Sequence, residues 1–425
     1  MIVLENKRNL KCTIFSKLNY LVTSLVIFFI EIIFHRFLFK IKYMTRKLRM
    51  GMIGGGKDAF IGAIHRIAAN MDGLVELCAG ALSINPDIAR ESGKALFLDE
   101  ERVYISFEEM ILKESKLPAE KRLDFITIVT PNFAHFAPAM MALDHGFNII
   151  IEKPMTLTLD EAKQLKNKVQ ETGLQLCLTH TYSGYPMVKQ ARAMVESGVL
   201  GKSRKIMVEY TQGWLSKPSE KEWRTDPKKS GIAGCMGDIG THAAHLAEYI
   251  SGLKITKLCA DLNIMVPGRA LDDDGNVLLK FEEDVSGVLI ASQIAAGEEN
   301  NLKFKIYGEK GGLEWVQQEP NTLLVKWHDQ PTQILRAGSN YPGILSSVAT
   351  QNCRTPGGHP EGYLEAFGNI YHNFALTLLT KMEGKVPTKE MLDFPGVDDG
   401  VRGMAFIESV VASSASNEKW TNFKD

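Results

Sequence analysis

The stretch LRMGMIGGGKDAF, residues 48–60, decides how this chain is read. Leu48–Ile53 is a short, mostly apolar run suited to a buried strand. Gly54-Gly55-Gly56-Lys57-Asp58-Ala59 follows it with the spacing G-x-G-x-x-A. Gly54 is expected to permit a tight turn and Gly56 to let backbone N–H groups approach a pyrophosphate. Ala59 is expected to let the next helix pack close to the strand. That helix, over Ile61–Met71, turns its N-terminal positive field toward phosphate. Three glycines in a row also suit a flexible turn. Their place directly after a strand favours a dinucleotide site, with Phe60 and Ile61 beside it.

Downstream, apolar runs alternate with helical spacing. Strands are expected at Leu74–Leu82, Phe125–Val129, Phe147–Ile151 and Leu174–Leu178. Helices are expected at Pro86–Ala95, Phe107–Ser115, Ala134–His145 and Leu159–Thr172. Nearly continuous apolar strands separated by helices predict a parallel sheet with helices on both faces, an α/β Rossmann domain over 44–175. After about Tyr182 the strands alternate polar and apolar residues, from Ser203–Tyr210 to Leu323–Trp327. Helical segments interrupt them at Met187–Ser197, Ile239–Ile250, Tyr363–Glu383 and Asp399–Ser413. Residues 176–425 are therefore expected to form an α+β domain with a large, mostly antiparallel sheet, open on one face.

Lys and Arg number 49 against 50 Asp and Glu, yet the first 49 residues hold ten basic and two acidic residues. The remainder carries 39 basic against 48 acidic groups. An acidic body argues against nucleic acid as a partner, because phosphate neutralisation needs a basic face. The six cysteines are scattered, with no C-x-x-C pair and no histidine at zinc-finger spacing, so reduced thiols and no metal site are expected. Leu21–Phe34 is apolar apart from Thr23, Ser24 and Glu31. A membrane anchor needs about 20 apolar residues, and a cleaved leader needs a small-residue site, whereas no Ala or Gly precedes Gly51. Met44, just ahead of the first strand, is placed like a native start. Residues 1–43 are read as an extension from a misassigned start, and the enzyme as cytoplasmic; a membrane tether at its cytoplasmic face is the alternative.

Four groups of residues carry chemistry. At the end of the second strand, Ser83, Asp87 and Arg90 are placed to meet a ribose, which leaves NAD and NADP open with NAD preferred. Thr130-Pro131-Asn132 and His135 follow the strand Phe125–Val129 and face the ligand crevice, although Asn132 also suits a helix cap. Glu152-Lys153-Pro154 follows Phe147–Ile151, where a lysine is placed to stabilise a developing alkoxide, unless it is a surface lysine paired to Glu152. Asp238 and His242 stand at i and i+4 with His245 beyond. A carboxylate there is expected to orient the imidazole as a general base, unless the pair is only a cap and a core histidine.

Together these residues resemble the glucose–fructose oxidoreductase, inositol dehydrogenase and MocA family, from about Lys47 to Trp420. The marks are the glycine turn, T-P-N-x-x-H at Thr130–His135, E-K-P at Glu152–Pro154 and G-D-x-G-x-H at Gly237–His242. The resemblance implies a Rossmann domain followed by a domain whose open sheet mediates assembly into a homodimer or homotetramer. It implies catalysis by Lys153, Asp238 and His242. Phe60-Ile61-Gly62 with His65-Arg66, Thr181-Tyr182 with Tyr185-Pro186, Trp223-Arg224-Thr225-Asp226-Pro227 and Gly358-His359-Pro360-Glu361-Gly362 resemble a branch acting on sugars, anhydrosugars and inositols. In such a branch Tyr182 and Trp223 are placed to stack on substrate, and Arg224, Asp226 and His359 to bond hydroxyls, unless each is a packing or turn residue. The expected activity is hydride transfer between NAD(P) and a secondary alcohol or ketone. The rivals are an NAD-dependent glycosidase on the same scaffold and a non-catalytic cofactor-sensing regulator.

Overall fold

The computed structural model describes residues 46–57, 59–218, 222–339 and 343–425. The chain divides into two compact units, Met1–Lys47 and Leu48–Asp425. Of the first, only Arg46 and Lys47 are described, so the reading of residues 1–43 lies outside the described residues. Among the described residues no helix is long and apolar enough to cross a membrane.

The second unit begins as the alternation implies. β1 (Leu48–Gly54), α1 (Phe60–Asn70), β2 (Val75–Ala81), α2 (Pro86–Ala95), α3 (Phe107–Glu114) and β3 (Phe125–Val129) come first. They are followed by α4 (Phe136–Asp144), β4 (Asn148–Ile151), α5 (Leu159–Thr172) and β5 (Leu176–Leu178). All five strands are parallel, in the order β2-β1-β3-β4-β5. Every residue of β3 is buried, as a strand covered on both faces requires. The order reverses between β1 and β3, so their carboxyl ends splay apart into a crevice. The glycine turn and the Thr130 loop flank it. α4 starts two residues later than expected because Asn132–Ala134 forms a 3₁₀ turn.

The rest of this unit comprises α6 (Pro186–Glu196), β6 (Ser203–Thr211), α7 (Pro227–Ser230), α8 (Thr241–Ser251), β7 (Ile255–Asn263), β8 (Asp274–Phe281) and β9 (Ser286–Ser292). β10 (Asn301–Gly308), β11 (Gly311–Val316), β12 (Thr322–Trp327), β13 (Gln333–Arg336), α9 (Ser347–Gln351), α10 (Tyr363–Met382), α11 (Val397–Ser414) and β14 (Thr421–Asn422) complete it. Nine strands form one sheet in the order β13-β12-β11-β10-β6-β9-β8-β7-β14. β6 and β9 pair in parallel and the other neighbours antiparallel. Ile206, Val208, Tyr210, Val277, Leu279 and Leu289 point into the core beneath α6, α8 and α11. On the opposite face Met207 is 38% and Leu278 48% exposed, leaving that side of the sheet open. β7 was not among the expected strands, since its buried residues Ile255 and Leu258 do not keep strict alternation. The C-terminal helices tie the two sheets together: α10 packs on α1, and α11 on α5 and β5.

Candidate active site

The glycine turn has the backbone that its sequence demands. Gly54 and Gly55 have φ of 80° and 71°, in the left-handed region that glycine adopts without strain. A Cβ on Gly56 would lie 2.8 Å from Leu82 O. The close approach of helix to turn falls on Gly62 rather than on Ala59: a Cβ there would lie 2.4 Å from both Gly55 Cα and Gly55 O. Ala59 is instead the N-cap of α1, and its side chain makes no capping bond. At the start of α1 Phe60 is 77% exposed and Ile61 half-buried. Arg66 fixes the turn from below through Gly55 O (2.5 Å). Asp58 lies outside the described residues. A tight glycine turn directly ahead of a helix N-terminus fits the pyrophosphate of a dinucleotide. Across β2, Ser83 Oγ accepts from Asn85 N (3.1 Å), and Arg90 is paired with Asp87.

The loops after β3 and β4 are bolted together by a buried histidine. His135 lies with Nδ1 2.8 Å from Pro154 O and Nε2 2.7 Å from Thr130 O. Asn132 donates to Ser230 O (3.2 Å) and Thr130 Oγ1 to Ala134 O (2.9 Å). Thr130, Asn132 and His135 thus shape the crevice wall through their own bonds. Glu152 does not pair with the Lys153 ammonium, although its Oε2 accepts from Lys153 N (3.2 Å). Its Oε1 meets His65 Nε2 at 2.9 Å and accepts from Thr179 Oγ1 at 2.6 Å. His65 Nδ1 in turn is 2.7 Å from Tyr371 OH. Burial works to raise the Glu152 carboxyl, but His65, Lys153 and Thr179 outweigh it and hold its pKa down at about 2. The helix that follows the glycine turn and the lysine loop therefore meet at one anionic carboxylate, with α10 joined to it through His65 and Tyr371.

Lys153 reaches across to the second sheet's helices. Its Nζ donates to Asp238 Oδ1 and to Asp238 O, both at 2.8 Å. Asp238 Oδ2 accepts from Gln293 Nε2 (2.8 Å), and Arg224 Nε lies 3.6 Å away. Burial works to raise the Asp238 carboxyl; the Lys153 ammonium and the Arg224 guanidinium overcome it and keep the group well below the usual carboxylate range. Asp238 sits in a π-helical turn, Met236–Gly240. Asp272 anchors the start of that turn by accepting from Gly234 N (2.7 Å) and Met236 N (2.8 Å). The Met236 side chain lies over Gly240 and Gly275, where a Cβ would meet it at 2.6 Å and 2.4 Å.

The wide turn corrects one expectation. Asp238 and His242 are four apart, yet the carboxylate bonds to Lys153 and Gln293 and makes no hydrogen bond to His242. A π-turn does not keep the i, i+4 alignment of an α-helix. The ring partner of His242 is His180, with Nδ1 to Nδ1 at 3.3 Å. Burial, reinforced by Lys153, pushes the His242 pKa well below that of a free imidazole. Tyr182 packs edge-on against His242, ring centroids 4.9 Å apart. Its hydroxyl bonds to Tyr210 and accepts from Asn300 Nδ2 (3.2 Å). Tyr182 is 6% exposed, so it backs the histidine and presents no open face for stacking.

Trp223 and Arg224 form a half-buried ledge beside Asp238, the guanidinium 4.5 Å from the Trp223 ring centroid. Asp226 caps α7 through Lys228 N. His359 is exposed, with Nδ1 3.2 Å from Pro356 O, and belongs to no cluster with Asp238 or His242. Glu361 Oε1 ties its own loop together by accepting from Thr355 N (2.6 Å). Tyr185 is buried, its hydroxyl accepting from Gln317 (3.3 Å). His245 stacks on His180 and lies 3.6 Å from Asp399. The residues that sequence reasoning missed are His180, Gln293 and Thr179, while His65, noted only as a family mark, proves to be the partner of Glu152. His180 and Thr179 directly follow β5, at the carboxyl end of a parallel strand, and that position was the available signal.

A Rossmann sheet with a tight glycine turn, beside a buried lysine, carboxylate and imidazole, defines a nicotinamide-dependent oxidoreductase. Residues 48–180 match the model described as oxidoreductase family, NAD-binding Rossmann fold, and residues 188–314 match the GFO/IDH/MocA C-terminal domain. The chain is 31% identical to the uncharacterized oxidoreductase YfiI of Bacillus subtilis, over 90% of this chain and 98% of that one. It is 26% identical to levoglucosan dehydrogenase of Pseudarthrobacter phenanthrenivorans, over 66% and 76%. Among solved structures it resembles the inositol dehydrogenase homolog of Azotobacter vinelandii complexed with NADH and myo-inositol. The TM-score is 0.83 and the identity 31%, covering 90% of this chain and 99% of that one. This protein belongs to the Gfo/Idh/MocA family of NAD-binding oxidoreductases.

Proposed function

We propose that this enzyme moves a hydride between NAD and a ring carbon of an inositol, a pyranose sugar or an anhydrosugar, interconverting a secondary alcohol and a ketone. The observation that carries the reading is the Lys153–Asp238 pair at 2.8 Å, with the His242 imidazole beside it and the lysine at the carboxyl end of β4. The glycine turn and the N-terminus of α1 hold the pyrophosphate, Ser83 meets the ribose, and the Thr130, Asn132 and Glu152 loops line the nicotinamide end. The bound nicotinamide supplies the hydride acceptor. His242 takes the hydroxyl proton, and Lys153 donates to the substrate oxygen as negative charge develops there. Asp238 holds the Lys153 ammonium in place and is itself fixed by Gln293. The Trp223–Arg224 ledge offers a flat face and a hydrogen-bond fork for a polyol ring. Relatives named for levoglucosan and inositol support this substrate class.

The open sheet face, with Met207 and Leu278 exposed among Val288 and Ile290, supports assembly into a homodimer or homotetramer. The deciding experiment is a panel of myo-inositol, scyllo-inositol, levoglucosan and simple pyranosides, each incubated with NAD and with NADP and read by NADH absorbance. Turnover of at least one polyol is expected, with NAD preferred. Failure of the whole panel, with NAD binding intact, would move the substrate class elsewhere.

A further inference from the structure

His180 is held rigidly. It follows β5, its N–H donates to Leu178 O (2.9 Å), and its carbonyl accepts from Ser183 Oγ (2.9 Å). The ring is 2% exposed and stands between two other imidazoles. On one side its Nδ1 is 3.3 Å from His242 Nδ1, with the rings at 79°. On the other it stacks on His245, centroids 4.3 Å apart and planes within 8°. His245 Nε2 is 3.6 Å from Asp399 Oδ1, and both residues line a groove of about 810 Å³. Beyond His242, the proposed mechanism uses no member of this column.

Two facing ring nitrogens share one proton, because only one of them can donate. When His242 Nδ1 carries it, His242 Nε2 offers a lone pair; when His180 Nδ1 carries it, His242 Nε2 carries a proton. These are the two states that the two directions of an alcohol–ketone reaction require of one base. The geometry points to His180 as a second proton carrier: as His242 Nε2 takes the substrate hydroxyl proton, His242 Nδ1 passes its own proton to His180 Nδ1. The substrate O–H and the His242 Nδ1–H bonds break, while N–H bonds form at His242 Nε2 and His180 Nδ1. His242 ends neutral and His180 ends as the imidazolium, which carries the charge one ring away from the Lys153 ammonium. Burial together with Lys153 opposes a cation on His242. Burial, together with His245, His242 and Lys153, opposes a lasting charge on His180 as well, so the proton is held there only until it returns.

This inference rests on His242 being the base, and the experiment separates the two. The tautomers of the free wild-type enzyme are read first from ¹⁵N imidazole spectra. One Nδ1–H among His180 and His242, hydrogen-bonded to ring nitrogen, is the expected result; two Nε2–H tautomers would overturn the relay without any variant. Kinetics follow on the best substrate of the panel. His180→Gln keeps a side chain beside His242 that cannot carry the proton onward. It should lower kcat tenfold or more with KM within twofold, and change a two-proton solvent isotope inventory into a one-proton one. Added imidazole should restore part of the rate to His180→Ala. A His180→Gln kcat within twofold of wild type, beside an inactive His242→Ala, sinks the relay alone. An active His242→Ala sinks the base assignment as well.

Discussion

Lys153 and Asp238 form an ion pair whose side chains are 15% and 17% exposed, so each charge depends on the other. Breaking such a pair leaves an uncompensated charge, at a cost of about 3–5 kcal/mol. Asp238→Ala is therefore expected to lower both stability, read by denaturant unfolding, and kcat. Lys153→Ala and His242→Ala are each expected to lower kcat by about 10²–10⁴ while NAD binding, read by fluorescence titration, stays near wild type. Because burial and Lys153 depress its pKa, His242 remains neutral below the roughly 6.5 of a free imidazole. The acid limb of kcat/KM for polyol oxidation is expected below pH 6.5, and a midpoint above 7 would contradict the assignment. Glu152 is a stability group of the opposite charge. Its folded pKa of about 2 lies below the roughly 4.3 of a free glutamate. Its contribution is complete above that value and fades as pH falls toward 2. The stability gap between wild type and Glu152→Gln should accordingly narrow between about pH 4 and pH 2.

Among the elements, the contact of α1 with the glycine turn is the one that sequence spacing misplaced. Gly62, one turn inside the helix, admits Gly55 at a distance that no Cβ tolerates. Gly62→Val is expected to push α1 off the turn, costing about 1–3 kcal/mol by overpacking, and to weaken NAD binding about tenfold. Calorimetric titration and thermal unfolding measure the two effects. A variant that binds NAD like wild type would show that the spacing of α1 and the turn does not matter for the phosphate site. The π-turn before α8 is the second such element. Asp272 and Met236 set it, and it decides that the Asp238 carboxylate meets the lysine instead of the histidine.

For the whole molecule, the proposed assembly uses the open sheet face. Met207→Glu with Leu278→Lys would place charges in its apolar centre, where desolvation on docking is costly. Sedimentation velocity is expected to find wild type as a dimer or tetramer and the double variant as a smaller species with the same fold. Identical sedimentation of the two would direct the interface elsewhere.

The sequence alone determined the alternation of strand and helix, the parallel sheet, the change to an alternating open sheet and the stations of Gly54, Lys153, Asp238 and His242. These are local properties: period, turn chemistry, and a residue's place at the end of a strand. Sequence could not pair the site residues, because pairing depends on distance across elements remote in the chain. Lys153 and Asp238 are 85 residues apart, and His180 and His242 are 62 apart. Only the tertiary fold decided that Glu152 answers to His65, that Asp238 answers to Lys153 and Gln293, and that Tyr182 backs His242 as a buried wall. The physical reason is packing: α10 and α11 close over the first sheet, and the buried charges take whichever partners that closure brings within reach.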